Sequence, residues 1–201
     1  MIYPCCHINE SPFVEKEDFY LTVARLTWYK RVDLAVQACT KLGKRLVVIG
    51  SGGELGKLRA MAGPTIEFKG GDLSDEEIRS CYLRAKAFLF PGEEDFGITS
   101  VEAQSAGTPV LAYGRGGACE SVLPGKTGCW FKEQTVDSLA DCIERFERDG
   151  VAYSKEEMRA HSRSFSEERF ERELKEYCER RMADWQQELQ DCSHRKKTKS
   201  E

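Results

Sequence analysis

The sequence predicts an α/β fold: an open, doubly wound parallel sheet of about six strands, followed by a long C-terminal helix. Three observations lead there. Short β-branched or aromatic runs alternate with helical segments along the first three quarters of the chain. Most of these runs empty into a glycine-rich turn, as at Gly50-Ser51-Gly52-Gly53 and Gly114-Arg115-Gly116-Gly117. From Tyr153 onward the pattern is almost wholly polar and helical. Strands separated by helices need crossover connections, so they pair in parallel and are covered on both faces.

Each element has its own reason. DFYLTVARL, 18–26, reads as the first strand, and a helix follows from about Lys30 to Leu42 with Val32, Leu34, Ala35, Ala38 and Cys39 on its apolar side. RLVVIG, 45–50, is a second strand, with a short helix after SGG; TIEF, 65–68, is a third. LSDEEIRSCYLRA opens a helix in which Ser74 is the N-cap and Glu77, three residues on, completes a capping box. AFLF (87–90), TPVLAY (108–113) and GCWF (128–131) are the remaining strands. SEERFERELKEYCERRMADW reads as one helix from Ser166 to about Gln190, with a stripe of Phe170, Leu174, Tyr177 and Cys178. The organisation expected is a linker-like segment at 1–19, a ligand-binding domain at 20–152, C-terminal helices at 153–190 and a solvated basic tail at 191–201.

Composition narrows the functional classes. The 201 residues carry 40% apolar and 32% charged side chains and a net charge of -4, an ordinary balance with no general attraction to nucleic acid. No apolar run is long enough to span a bilayer, and MIYPCCHINE lacks the regions of a signal peptide. A cytoplasmic protein is expected, with at most peripheral contact at the inner face of a membrane. The nine cysteines are odd in number and contain no C-x-x-C pair, so they read as reduced core residues rather than a zinc site or a disulfide framework. His7, His161 and His194 are scattered and suggest no catalytic pair.

In an open parallel sheet, ligands bind beyond the carboxyl ends of the strands. That edge collects Arg25 and Lys30 after the first strand and Gly70-Gly71-Asp72 after the third. It also holds Pro91-Gly92-Glu93-Glu94-Asp95-Phe96-Gly97 after the fourth. Gly97 opens a helix whose free N–H groups, at residues 97 to 99, favour an anion such as a diphosphate. The neighbouring carboxylates mean that the anion also needs cations; Arg25 offers a planar fork and Lys30 a point charge. Glu94 and Glu102 are acceptors suited to vicinal hydroxyls, one of a ribose and the other of a hexose. A metal site is disfavoured by the lack of Asp-x-Asp and by the cations already present. SGGELGKL and ESVLPGKT each miss essential positions of a phosphate-binding P-loop, and no G-x-G-x-x-G follows the first strand. A flavodoxin-like or receiver-like fold would place an acidic pocket or flavin loop where Arg25 and Lys30 stand.

Glu94-x7-Glu102 with E-D-F-G inside it, EAQSAGTPVLAY after it and GGACESVLPGKTGCWF beyond resemble the retaining GT-B glycosyltransferases of family 4 (group 1). VARLTWYKRVDLAV resembles that family's first-strand signature and IYP its interdomain linker. FLFPGEEDFGI with AYGRGGACESV resembles the mannosyltransferase-like branch. The resemblance runs from about Ile2 to Glu176. It implies a Rossmann-like domain, one half of a GT-B fold, that binds a nucleoside diphosphate sugar, GDP-mannose favoured over a UDP-sugar. By position, Arg25 and Lys30 hold the diphosphate with amides around Phe96, Gly97 and Ile98. Glu102 takes the ribose, Glu94 is the catalytic contact to the donor sugar, and Gly71 and Leu73, in the loop from Gly70, flank the base. It implies no metal and no other cofactor. A full enzyme of this kind has a second, N-terminal acceptor domain, so such a domain is expected as a partner in cis or trans, and the chain by itself is expected to bind donor rather than turn it over. The long terminal helix would then cross back to that domain. A stand-alone nucleotide-sugar-binding or regulatory module is the alternative.

Overall fold

The structure, a computed structural model, describes residues 1–197, with side chains through 188; residues 198–201, the end of the expected basic tail, lie outside the described residues. Six strands form one parallel sheet: β1 (Tyr20–Val23), β2 (Leu46–Ile49), β3 (Ile66–Phe68), β4 (Ala87–Phe90), β5 (Val110–Tyr113) and β6 (Gly128–Phe131), in the order β3-β2-β1-β4-β5-β6. The chain works outward from β1 to β3 and then returns to build β4 to β6 on the other side. The order therefore reverses between β1 and β4, and a crevice opens there beyond their carboxyl ends.

Side-chain alternation along the strands explains the double winding. Tyr20, Leu46, Val48, Ala87, Leu89, Leu111, Tyr113 and Phe131 face one layer, formed by α1 (Val32–Leu42), α2 (Leu55–Met61) and α6 (Val136–Asp149). Leu21, Val47, Ile49, Phe88, Phe90, Val110 and Ala112 face the other, where α3 (Asp75–Arg84), α4 (Ile98–Ser105) and α5 (Ala118–Ser121) pack. The four inner strands are consequently buried along nearly their whole length, and the edge strands β3 and β6 are less so, β3 the most exposed. Every cysteine whose side chain is described is a free thiol, and Cys6, Cys39, Cys81 and Cys142 are buried.

Several boundaries differ from the sequence expectation. The first strand keeps a regular ladder only over Tyr20–Val23 instead of 18–26, although Ala24 and Leu26 still donate to Ile49 and Ser51. Lys30 ends a 3-10 turn, Trp28–Lys30, and the helix proper begins at Val32. The Ser74–Glu77 capping box is present as read. A second one, Ser154–Glu157, opens α7 (Lys155–Ser162), which packs on α4.

The last helix, α8 (Glu167–Lys197), continues beyond Gln190 into the stretch expected to be tail. Its first turn is anchored, because Arg169 is 8% exposed and donates to the carbonyls of Tyr3 and Pro4 at 3.0 and 3.2 Å. Phe170 of the expected stripe is half-buried by this anchoring, whereas Leu174, Tyr177 and Cys178 stand exposed. Among the described residues, no helix is long and apolar enough to cross a membrane.

Candidate functional site

At the point where the strand order reverses, Arg25 and Lys30 come from the end of β1 and residues 93–99 from the loop and first turn after β4. With Pro4, Tyr29 and the end of β1, they line an open crevice of about 670 Å³. The loop after β4 is held by close backbone packing. Gly97 has φ 84, a left-handed conformation, and a Cβ there would stand 2.6 Å from the Phe90 ring. Gly117 donates to the Glu94 carbonyl at 2.7 Å, and a Cβ on Gly117 would lie 2.1 Å from Phe96 Cα. Gln134 adds a side-chain bond to the Pro91 carbonyl at 3.0 Å.

Phe96 is itself buried, packed between Tyr3 and Phe165 with ring centroids 5.9 and 5.4 Å away. Its ring therefore fixes the loop that lines the crevice. Beyond it, Gly97 caps α4 and Ile98 begins it, so the unpaired amides of the helix start lie at the crevice wall.

The electrostatics hold one arrangement that sequence order does not reveal. Lys30 Nζ lies 2.6 Å from Glu94 Oε2, and both side chains are 19% exposed. The lysine expected to meet a diphosphate is thus paired with the carboxylate expected to meet the sugar. Arg25 is exposed at the rim of the same crevice.

Glu102 occupies a neighbouring hollow. It faces a cavity of about 500 Å³ between α3, α4 and the N-terminal segment, lined also by His7, Asn9, Asp75, Arg79 and Tyr82. The two carboxylates therefore do not share one crevice; their hollows adjoin at Val23, the last residue of β1, which lines both. The Tyr82 hydroxyl donates to Glu102 Oε2 at 3.2 Å. Burial raises the Glu102 carboxyl above its ordinary range; the Tyr82 hydrogen bond and the charge of His7 pull it down, and Asp75 adds to the rise. Burial, with Glu102 beside it, likewise holds the Tyr82 phenol well above its usual value. Tyr82 is a site residue that the sequence does not advertise, since as one aromatic in an amphipathic helix it reads as core. Gly71 and Leu73 line neither hollow: Gly71 backs onto Ser51, and Leu73 packs at the margin of the α3–α4 core.

This arrangement can hold an anion between Arg25, Lys30 and the start of α4, and can offer carboxylate acceptors to hydroxyls on either side of it. Among the described residues, no group of three His, Cys, Asp or Glu side chains is placed to bind a metal ion.

Comparison with known proteins gives this geometry a family. The profile of the family described as Glycosyl transferases group 1 matches residues 7–167. A GDP-mannose-dependent alpha-(1-6)-phosphatidylinositol monomannoside mannosyltransferase of Mycobacterium tuberculosis is 32% identical over 139 residues, covering 60% of this chain and 36% of that protein. A D-inositol 3-phosphate glycosyltransferase of Mycobacteroides abscessus is 30% identical over 156 residues, covering 72% of this chain and 35% of that protein. The chain thus spans about a third of the length of these relatives. Among solved structures, a lipopolysaccharide outer core galactosyltransferase superposes with a TM-score of 0.73 at 20% identity, over 83% of this chain and 51% of that one. Sucrose-phosphate synthase from Thermosynechococcus elongatus gives 0.73 at 24% identity, over 84% and 46%. Both support the same GT-B, Rossmann-like architecture. The sheet with its reversal, the crevice beyond β1 and β4 and the profile match over most of the chain together make this protein a member of the group 1 glycosyl transferases.

Proposed function

We propose that the chain is the C-terminal, donor-binding half of a retaining family 4 glycosyltransferase, which transfers a hexose from a nucleoside diphosphate sugar to an acceptor. The observation that carries this reading is the meeting of Arg25, Lys30, the start of α4 and Glu94 in one crevice at the strand-order reversal. In this reading Arg25 and Lys30 neutralise the diphosphate, the amides of Phe96, Gly97 and Ile98 hydrogen-bond it, and Glu94 accepts from donor-sugar hydroxyls. Glu102, set by Tyr82, accepts from the ribose. The loop through Gly71 and Leu73 lies on the base side.

Transfer breaks the bond between the anomeric carbon and the diphosphate oxygen. It forms the bond to the acceptor oxygen on the face just vacated, and the acceptor proton passes to the leaving phosphate. The cations and the helix start stabilise the charge that develops on that phosphate, so this reading requires no metal.

Mannose from GDP-mannose is the favoured donor, supported by the mycobacterial relative that is a GDP-mannose-dependent mannosyltransferase. Turnover in this reading needs an N-terminal acceptor domain in cis or trans. The second reading is a nucleotide-sugar-binding or regulatory module without its own catalysis.

Calorimetric titration of the chain with GDP, UDP and ADP, then GDP-mannose and UDP-glucose, all in EDTA, tests the proposal. Saturable binding of one nucleotide, tightened by its sugar, is expected. No binding of any nucleotide or of pyrophosphate would refute it. Adding an N-terminal domain and finding transfer separates the enzyme from the binding module.

A further inference from the structure

Beside the donor crevice lies a second cavity of about 640 Å³, lined by Trp28, Tyr29, Asp33, Glu54, Glu93 and Gln134, among others. Trp28 and Tyr29 reach it from the 3-10 turn Trp28–Lys30, which presents both aromatic side chains to solvent. Trp28 is 77% exposed and Tyr29 43%, set edge to face with centroids 5.9 Å apart.

An indole exposed to this degree costs hydration free energy, and the turn that displays it is constrained. Arg31, directly after it, is the only non-glycine residue with positive φ among the described residues, at 51°. Its guanidinium is locked in a two-pronged pair with Asp33, both bonds at 3.1 Å, and its N–H returns to the Trp28 carbonyl. The turn is therefore built to keep Trp28 outward rather than folded onto the domain.

The chemistry around the indole selects one kind of occupant. Arg31, the cation of the lining, is consumed by Asp33, so an anion finds no free partner. Glu93 and the side-chain oxygen of Gln134 supply hydrogen-bond acceptors at the margin, while the Glu54 carboxylate is paired with Lys57. An aromatic plane bordered by acceptors is complementary to a neutral sugar, whose C–H face packs on the ring while its hydroxyls donate outward. The position agrees: Tyr29 and Glu93 line this cavity and the donor crevice alike, so an occupant here abuts the place given to the donor sugar.

We infer that Trp28 and its surrounding acceptors form a binding platform for a neutral saccharide acceptor on the donor-binding domain itself. The inference rests on the proposed function for its role, while the binding it requires is measurable separately.

The test titrates the full chain with mannotriose and with maltotriose, following tryptophan emission and heat, in wild type, Trp28→Ala and Trp28→Phe. Either trisaccharide is expected to give a saturable change in wild type, weakened about tenfold in Trp28→Ala, the scale of one lost aromatic anchor. Trp28→Phe, which keeps an aromatic plane, is expected to retain most of the affinity. No response to either saccharide, or equal binding by Trp28→Ala, overturns the inference. Pyrophosphate titrated into the same samples keeps the two readings apart. Its failure to bind wild type overturns the donor reading; its binding without a Trp28-dependent saccharide response overturns the platform alone.

Discussion

The Lys30–Glu94 pair makes a prediction whose sign runs against simple loss of function. The Lys30 ammonium and the Glu94 carboxylate are 2.6 Å apart and each 19% exposed. A diphosphate must therefore compete with Glu94 for Lys30 and also approach a like charge. Glu94→Gln keeps the shape and removes both penalties. A hydrogen bond to a charged group is worth about 1.5–3 kcal/mol when screened from water. Partial exposure lowers that to about 1–2 kcal/mol, a change of about 5- to 30-fold in the dissociation constant.

Pyrophosphate is the ligand to use, because it has neither ribose nor sugar to lose contacts. Titrated calorimetrically in EDTA at low salt, it is expected to bind Glu94→Gln more tightly than wild type and Lys30→Ala more weakly. The advantage should shrink as salt screens the charges. With GDP-mannose the gain should vanish or reverse, since the sugar loses its carboxylate acceptor. An unchanged or weaker pyrophosphate affinity in a Glu94→Gln protein of normal circular dichroism would refute the reasoning.

The other predictions bear on separate parts of the molecule. Arg25→Ala, like Lys30→Ala, is expected to weaken nucleoside diphosphate binding by about 1–3 kcal/mol; unchanged affinity in both variants would sink the phosphate assignment. Glu102→Ala should weaken GDP while leaving pyrophosphate nearly untouched, and an equal loss for both ligands would move Glu102 out of the ribose role. Gly117→Ala forces a Cβ to within 2.1 Å of Phe96 Cα, so thermal denaturation should report a loss of about 1–3 kcal/mol.

Glu147 governs acid stability. Burial raises its carboxyl, but hydrogen bonds from Lys44, Lys86 and Tyr20, at 2.6, 2.9 and 2.9 Å, outweigh this and hold it at about 2. Its folded value lies below the ordinary 4.5, so its contribution is complete above that pH and is lost as pH falls toward 2. Wild type should lose about 1–2 kcal/mol more than Glu147→Gln across that window, discounted for a side chain that still touches water. Parallel acid-denaturation curves for the two proteins would contradict it.

Much of this architecture is legible in local pattern. RLVVIG, AFLF and TPVLAY read as strands because a sheet covered on both faces requires unbroken apolar runs, and Ser74 with Glu77 marks a helix start by its own hydrogen bonds. The strand ends named Arg25, Lys30, Glu94 and Gly97 as neighbours because parallel strands deliver all their carboxyl ends to one edge. What stays hidden depends on which strands adjoin. Lys30 meets Glu94 only because β4 lies next to β1, an adjacency that no run of residues encodes. Tyr82 reaches Glu102 across two helices, and Gly71 turns away because Ser51 fills the space beside it. The N-terminal segment resembles an interdomain linker, yet Asn9 and Cys6 tie it to Ser105 and Phe165.

That last attachment has a mechanical meaning. Tyr3, Phe96 and Phe165 form one aromatic cluster, and Arg169 at the root of α8 holds the consecutive carbonyls of Tyr3 and Pro4 beside it. Beyond Glu173 the helix stands out from the domain with exposed side chains through residue 188. The helix is therefore joined, through the aromatic cluster, to the loop that presents the amides of Phe96 and Gly97. Amide exchange at those two residues would register a load on the far end.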